Sequence, residues 1–248
     1  MKEATSRVDD ITGQLRDDIL RGQYRPGERL PSERDLAARF EVNRGAVREA
    51  VKKLEQLGIA SVQPGGARVV AIEDATLEVL GHIMDLQELP NATLVSQLLE
   101  VTGAMMSISA ASAVARADEN ELAAIKNLVD QLIQEQDAEK VSQGWRELGD
   151  LFLKINQNLV MKLIQNGLKT QFMGRLSHVG VRPQRDRSGD VELLKCMQKA
   201  IVNRDTKTVR ESIVQHFDRV RQSLENALDK KSNKDDSPHV STQIGVLS

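Results

Sequence analysis

One cysteine in 248 residues, Cys196, leaves the chain without an internal disulfide or a thiolate metal cluster, and a small residue of that kind is expected to be buried. No apolar run reaches the length of a membrane span, and the opening MKEATSRVDD has no signal-peptide core, so a cytoplasmic protein with no membrane partner is expected. Positive charge is not in excess either. With 34 Lys and Arg against 36 Asp and Glu the formal charge is −2, so any affinity for a polyanion has to be local. There is no phosphate-binding glycine loop and no internal repeat. The lone cysteine and four scattered histidines offer no nucleophile, base and oxyanion donor that spacing could assemble, which argues against an enzyme.

What is present is concentrated between residues 8 and 72. Wound at 3.6 residues per turn, Ala46, Val47, Ala50, Val51, Leu54 and Leu57 form an apolar stripe, while Arg44, Arg48 and Lys52 recur every four residues on another face. From 43 to 54 the charges are Arg44, Arg48, Lys52 and Lys53 against Glu49 alone. Asn43 is placed to cap this helix and Gly58 to stop it. The preceding helix opens at Ser32, with Asp35 three residues on in a capping-box-like start and Pro31 before it; Leu36, Ala37 and Phe40 supply its buried side. Only Glu41 and Val42 lie between the two helices, so their apolar stripes can meet only by crossing. Upstream, Val8, Ile11, Leu15 and Ile19 mark a third helix.

Beyond Gly58, residues 59–63 and 68–72 are short β-prone runs on either side of Pro64-Gly65-Gly66-Ala67, which reads as a hairpin with Arg68 beside its tip. Cations at four-residue spacing alone mark a solvated face, and Pro-Gly-Gly alone marks a turn. In this order they describe a winged helix-turn-helix: one helix for the major groove and a bare-backbone wing for the minor groove of double-stranded DNA.

The same stretch resembles the DNA-binding domain of the GntR family of bacterial transcription regulators. The likeness runs through Pro26-Gly27, Leu30-Pro31-Ser32-Glu33-Arg34, Leu36-Ala37, Val42-Asn43-Arg44 and Val47-Arg48-Glu49-Ala50. It implies DNA contacts at Arg34, Asn43, Arg44, Gly45, Ala46 and Arg48, with Gly65 and Gly66 at the wing tip. Arginines at such positions can donate two hydrogen bonds to guanine. Relatives often carry hydroxyl residues or Pro at the positions of Gly45 and Ala46, and a cation or His near Pro64.

After a bridge at 73–78 the amphipathic stretches follow one another without strand-like alternation: roughly 77–86, 92–116, 119–134, 140–156, 158–178, 190–203 and 206–228. Asp118 and Asp205 are placed to cap helices, and the polar run 182–189 reads as a loop. The expected organisation is mainly α, in four parts: a winged helix-turn-helix over 1–72, a linker over 73–78, an all-helical antiparallel bundle of six or seven helices over 79–228, and a disordered tail over 229–248.

This second part resembles, less closely, the effector-binding and dimerisation domain of FadR-like GntR regulators, through Leu98-Leu99-Glu100-Val101, Asn158, Lys199-Ala200-Ile201 with Asp205, and the segment around His216. Many such relatives hold a divalent metal with one Asp and three His. The matching positions here are Trp145, Gly149, Leu194 and His216, one donor where four are needed, so no metal cofactor is expected. A four-residue shift would bring Leu153, with Asp150 and Glu147 nearby, and still supply no ligand. Relatives that sense small carboxylates often place an Arg where this chain has Thr102. Thr102, Gly103, Ala104, Met105 and Met106 could line a pocket for an apolar-tailed effector such as an acyl-CoA, or could have filled it. Arg146, Arg175 and Arg182 are the cations for an anionic head group, and His216 is the remaining candidate. The resemblance implies a homodimer on a palindromic operator, repressing a metabolic operon until a small molecule binds. The alternative is a helical domain that only dimerises. Residues 73–78 and the helix near Leu77 would transmit the signal.

Overall fold

The computed structural model describes residues 2–86, 92–173 and 186–235. Two compact units divide the chain, one through residue 88 and one from 89 to 237.

In the N-terminal unit, α1 (Lys2–Leu20), α2 (Glu33–Arg39) and α3 (Arg44–Gln56) precede a hairpin of β1 (Ala60–Gln63) and β2 (Gly66–Val69). Ile11, Leu15 and Ile19 of α1, Leu36 of α2, and Val47, Ala50 and Leu54 of α3 close one core with Ile59. Each such side chain contributes roughly 1.5–3 kcal/mol when fully buried. The caps are local and specific. Ser32 Oγ accepts from the Asp35 N–H (3.2 Å) and Asn43 Oδ1 from the Ala46 N–H (2.9 Å). Asp35 does not complete a capping box, because its carboxylate accepts from the Ser32 hydroxyl (2.6 Å) instead. Gly58, at φ +75°, ends α3, with its own N–H on Glu55 O and the Ile59 N–H on Leu54 O, a Schellman closure. The turn between α2 and α3 bends through Glu41 at φ +54°.

The hairpin is tighter than its sequence suggested. Gln63 pairs with Gly66, so only Pro64 and Gly65 form the turn, and β2 runs over Gly66–Val69 rather than 68–72. Gly65 at φ +99° and Gly66 at φ +127° need the freedom of glycine, and that is why both strands can close so early. Residues 27–30 run along β2 as a further edge, with Gly27 in a turn at φ +80° and Arg29 bridging Arg68. Gly27 N–H donates to Val69 O, Val69 N–H to Glu28 O and Leu30 N–H to Ala67 O.

The segment 73–78 is not a free linker. A 3-10 turn (Ile72–Asp74) leads to Thr76, whose N–H (3.0 Å) and hydroxyl (3.1 Å) both donate to Leu57 O at the end of α3. The helix α4 (Val79–Asp85) then packs Val79 and Ile83 on the winged-helix core, so residues 79–86 belong to the N-terminal unit and not to the bundle. Val79, Ile83 and Leu86 form a short apolar stripe that the first core could absorb without a second domain.

The C-terminal unit contains, among its described residues, α5 (Ala92–Arg116), α6 (Glu119–Gln134), α7 (Ala138–Asn156), α8 (Leu159–Leu168), which continues as a π turn (Lys169–Met173), α9 (Arg187–Val202) and α10 (Thr206–Asp235). No strand is found there among the described residues. The core is a single cluster: Ala113 and Val114 of α5, Ile125 and Val129 of α6, Leu148 and Phe152 of α7, Leu194 and Met197 of α9, Val209 and Ile213 of α10. Asp118 makes a full capping box with Glu121 at the start of α6, and Asp205 accepts from the Thr208 N–H (3.2 Å).

Four readings of the sequence change here. The helix α5 is, by length and composition, apolar enough to cross a membrane, with mean hydropathy 1.5 over its 18-residue window, half of it buried. Its Ala, Gly and Ser content serves close packing instead: Ser107 and Ser109 are buried and Ser112 donates to Asn156 Oδ1 (2.7 Å). Cys196 is exposed, because Leu193, Leu194, Met197 and Ala200 take the inner face of α9. The helix α9 begins at Arg187, inside the run read as a loop, since the Arg187 guanidinium caps the Leu132 (2.7 Å) and Ile133 (3.0 Å) carbonyls at the end of α6. The helix α10 continues to Asp235, past the expected start of a tail at 229, through Lys-rich sequence of fair helix propensity. Residues 236–248 lie outside the described residues.

Candidate nucleic-acid interface and helical-domain site

The arginines expected to meet DNA stand on the first turns of α2 and α3, which Glu33 at the start of α2 links through Arg48. Arg48, one turn into α3, donates to both Glu33 oxygens (Nε 3.0 Å, Nη2 2.8 Å), bridging the two helices of the turn. That hydrogen bond, together with the charges of Arg48 and Arg44, holds the Glu33 carboxyl below its ordinary range, and Glu33 in turn raises Arg48. Arg44 is therefore close enough to Glu33 to be felt electrostatically, and Arg34 is its chain neighbour. All three guanidiniums face solvent: Arg34 is 78% exposed and Arg48 62%.

They are not equivalent. Arg48 is held by a carboxylate, and Arg34 lies 3.5 Å from Asp35. Lys52 is paired with Glu49 at 2.8 Å, an ion pair that lowers the Glu49 carboxyl, and Lys53 is paired with Asp9. Arg44 has no ion pair among the described residues. The cationic stripe read from α3 is thus largely neutralised in the free protein, leaving Arg44 as its uncommitted charge. Asn43, Gly45 and Ala46 form the first turn beside it, with Asn43 spent on the cap. A Cβ at Gly45 would sit 3.1 Å from Asn43 Oδ1, so a larger residue there would press on that cap.

At the wing, Arg68 is turned away from the tip: its Nη1 donates to Gly27 O (2.9 Å). The cation that reaches the tip is Arg29, from the flanking edge 27–30. A Cβ at Gly66 would lie 2.8 Å from Arg29 Nε and 3.1 Å from Nη2, so the guanidinium rests against bare glycine backbone. Gly65 opens to free space. Arg29 was missed in the sequence because residues 27–30 carry no strand pattern of their own; the turn at Pro26-Gly27 before it, with Gly27 at φ +80°, and Leu30-Pro31 after it were the available signal.

In the helical unit, Trp145 and His216 stack face to face (centroids 3.5 Å apart, 17° between planes), and Phe217 meets His216 edge-on at 5.4 Å. His216 is 4% exposed. Gly149, one turn after Trp145, faces Met106, whose Cε would be 2.6 Å from a Cβ there, and Leu194 is wholly buried. The four positions at which relatives bind a metal thus present indole, bare backbone, isobutyl and one stacked imidazole. That donor set does not fit a divalent ion. Asp150, paired with Lys169 at 3.2 Å, and Glu147, accepting from Gln143 (2.9 Å), are both exposed and not part of this buried face.

The expected effector residues divide. Met106 and His216 meet the buried face of α7, at Gly149 and Trp145. Thr102 donates to Leu98 O of its own helix (2.7 Å), and Met105 is half-buried on the next turn. Gly103 has Phe217 against it: a Cβ there would stand 2.7 Å from Phe217 Cβ. Arg146 is exposed and donates to Gln143 (2.7 Å), so it does not join them. Arg175 and Arg182 lie outside the described residues.

Comparison with known proteins matches two family models. Residues 7–70 match "Bacterial regulatory proteins, gntR family" and residues 97–219 match the "FCD domain". The Uxu operon transcriptional regulator of Escherichia coli is 43% identical over 68 residues, 26% of either chain. An uncharacterized HTH-type transcriptional regulator of Mycobacterium tuberculosis, Rv0494, is 45% identical over 65 residues, 26% of this chain and 27% of that one. LutR of Bacillus subtilis is 29% identical over 133 residues, 54% of this chain and 52% of that one. The matches thus span about a quarter to a half of these relatives' lengths. Among solved structures, a Streptococcus agalactiae GntR superposes over 87% of this chain and 99% of that one, with 21% identity and a TM-score of 0.43. The relatives are transcription regulators rather than enzymes. Carrying a gntR-type helix-turn-helix followed by an FCD domain, the chain belongs to the GntR family of bacterial transcription regulators, in its FadR-like branch.

Proposed function

We propose that this chain is a cytoplasmic regulator that binds a palindromic operator in double-stranded DNA as a homodimer, represses a metabolic operon, and changes its DNA affinity when a small molecule binds the helical domain. The observation that carries the DNA reading is the exposure of Arg34, Arg44 and Arg48 on the first turns of α2 and α3, with Arg48 paired to Glu33 across the two helices. In this reading Arg44 reads a guanine in the major groove, Arg48 exchanges or shares Glu33 with the duplex, and Arg29 lies with Gly65 and Gly66 in the adjoining minor groove. Ligand binding shifts the outcome only by favouring one arrangement of the two α3 helices over another.

A second reading is favoured by the helical unit itself. Met106 against Gly149, Phe217 against Gly103 and the Trp145–His216 stack fill the level at which relatives bind metal. There the domain would serve assembly and bind no effector, and no metal takes part in either reading.

Operator selection from random DNA followed by fluorescence anisotropy tests the first. Arg44→Ala should lower affinity about 10- to 100-fold at one base pair and relax preference there. Equal loss on every sequence makes Arg44 a phosphate contact, and no selectable site for the parent chain overturns the regulator. A thermal-shift screen with acyl-CoAs, fatty acids, sugar acids and divalent metals separates the two readings: a ligand raises the melting temperature by mass action, and a filled bundle gives no shift.

A further inference from the structure

The guanidinium of Arg48 is held by a fork. Its Nε donates to Glu33 Oε1 (3.0 Å) and its Nη2 to Glu33 Oε2 (2.8 Å), so one long edge of the group is spent on α2. The other edge, made of the Nη1 hydrogens and the outer Nη2 hydrogen, has no hydrogen bond among the described residues. Both partners stand in solvent, and an ion pair so exposed adds little to stability. The crossing of α2 and α3 is already fixed by Leu36, Val47, Ala50 and Leu54 in the core beneath. What the fork does change is the charge and the aim of Arg48. Lys52 and Lys53 are likewise paired, with Glu49 and Asp9, whereas Arg44, four residues before Arg48 and on the same face, has no ion pair among the described residues.

We infer that Glu33 is a specificity-determining positioning residue: it keeps its hold on Arg48 in the complex, aims the free edge of the guanidinium at a guanine, and withholds that cation from the phosphates of non-operator DNA. The inference rests on the DNA reading above and decides between its two alternatives for Arg48, sharing over exchange. A free guanidinium is satisfied by any phosphate, and phosphate contacts carry no sequence information. One that already holds a carboxylate gains little from a second anion, because the phosphate and Glu33 repel each other across it. Guanine O6 and N7 are uncharged acceptors, and they match the two parallel N–H groups of the edge that Glu33 leaves open. The fork also removes the swing of a long side chain, so the open edge is presented in one direction. Glu33 thus sharpens selection by weakening attachment to the wrong sequences rather than by strengthening attachment to the right one.

Fluorescence anisotropy with the full chain tests this, over a series of salt concentrations, on the selected operator, on operators with each guanine of a half-site replaced in turn, and on a scrambled duplex of equal length. Glu33→Gln keeps the size of the side chain and removes its charge. It should bind the scrambled duplex roughly 5- to 10-fold more tightly at about 0.1 M salt, with a log–log salt slope steeper by about 0.9, as one further phosphate contact requires. One guanine, whose replacement costs the parent roughly 5- to 150-fold, should be replaceable in the variant at no more than about 3-fold cost. Arg48→Ala is the independent measurement: it should lose preference for the same guanine while keeping the parent's salt slope, because Arg48 touches no phosphate. A slope shallower by about 0.9 in Arg48→Ala means exchange with the duplex and overturns the inference. So does a Glu33→Gln protein that binds scrambled DNA no more tightly than the parent, or that keeps the parent's preference at every guanine. A parent with no preferred site removes the DNA reading and this inference with it, whereas a parent that selects its operator beside a Glu33→Gln variant that selects it equally well removes this inference alone.

Discussion

Gly103→Ala tests whether the helical domain holds space or is already filled at the level of the Trp145–His216 stack. A Cβ at Gly103 would stand 2.7 Å from Phe217 Cβ and 2.9 Å from its Cγ, and the root of that side chain cannot swing aside without moving the α10 backbone. Overpacking of this kind costs about 1–3 kcal/mol. Replacing a mid-helix glycine by alanine returns roughly 1 kcal/mol of helix propensity. The net expectation is a loss of about 1 kcal/mol, which in a unit of this size lowers its melting temperature by roughly 2–4 °C. Gly149→Ala is the control. Its new Cβ meets Met106 Cε at 2.6 Å, the free end of a flexible thioether that can take another rotamer, so propensity should offset the crowding and leave stability near that of the parent. Calorimetry of both variants, resolving the transition of the C-terminal unit, reads the difference. A Gly103→Ala protein more stable than the parent would refute the close approach of α5 and α10 and restore an open pocket beside Thr102 and Met105.

Other outcomes follow from the same geometry. Arg29→Ala and Gly66→Ala should both weaken operator binding, the first by removing the wing cation and the second by pushing it off its glycine seat; a salt-dependence slope reduced by about one for Arg29→Ala identifies it as a backbone contact. An unchanged affinity for both excludes the wing from binding. Asp118→Ala removes the capping box of α6 and should cost about 1 kcal/mol in denaturant titration of the helical unit. Glu33, Asp35 and Glu49 have carboxyls held below their ordinary values, chiefly by Arg48, Ser32 and Lys52 respectively. Groups depressed on folding contribute stability that is present above their unfolded values and lost as pH falls through the folded ones. Acid titration should therefore destabilise the N-terminal unit only below the usual carboxylate range near 4.5, and Glu33→Gln should diminish that loss.

Much of the N-terminal unit was legible because its information is local. A cap at Ser32, a cap at Asn43, a two-residue gap and a glycine after Leu57 each fix backbone within a few residues of themselves, and together they leave one way for α2 and α3 to cross. What escaped was contact between distant segments of the same unit. Residues 27–30 carry no strand-like alternation, yet they bond to β2 some 40 residues on, and they bring Arg29 rather than Arg68 to the wing tip. The pairing of Arg48 with Glu33 is likewise invisible to helical periodicity, which counts charges on one face and not carboxylates on the next helix. Residues 79–86 were assigned to the bundle because periodicity says that a helix is amphipathic, not which core its stripe enters.

In the helical unit the missing information is of another kind. That Trp145, Gly149 and Leu194 bring no metal donor is plain in the sequence, but whether the space around them stays empty depends on side chains from other helices. The structure places Met106 of α5 over the Gly149 position and lays the Trp145 indole on His216 of α10, so these positions make dispersion contacts with side chains of other helices. The four side chains at this level offer a divalent ion too few donors, and so no metal charge there for an anionic ligand. A ligand entering at this level would be recognised by shape and apolar area, and would compete with Met106 and Phe217 for room. Binding would then displace one of those side chains, so Met106→Ala should increase affinity for an apolar-tailed ligand while lowering the stability of the unliganded bundle by roughly 2–5 kcal/mol at most, less because Met106 is only partly buried. Isothermal titration with acyl-CoA chains of graded length, on the parent and on Met106→Ala, decides the matter: equal silence from both leaves the bundle as an assembly element, and a response confined to the variant shows that the pocket exists and the parent has closed it.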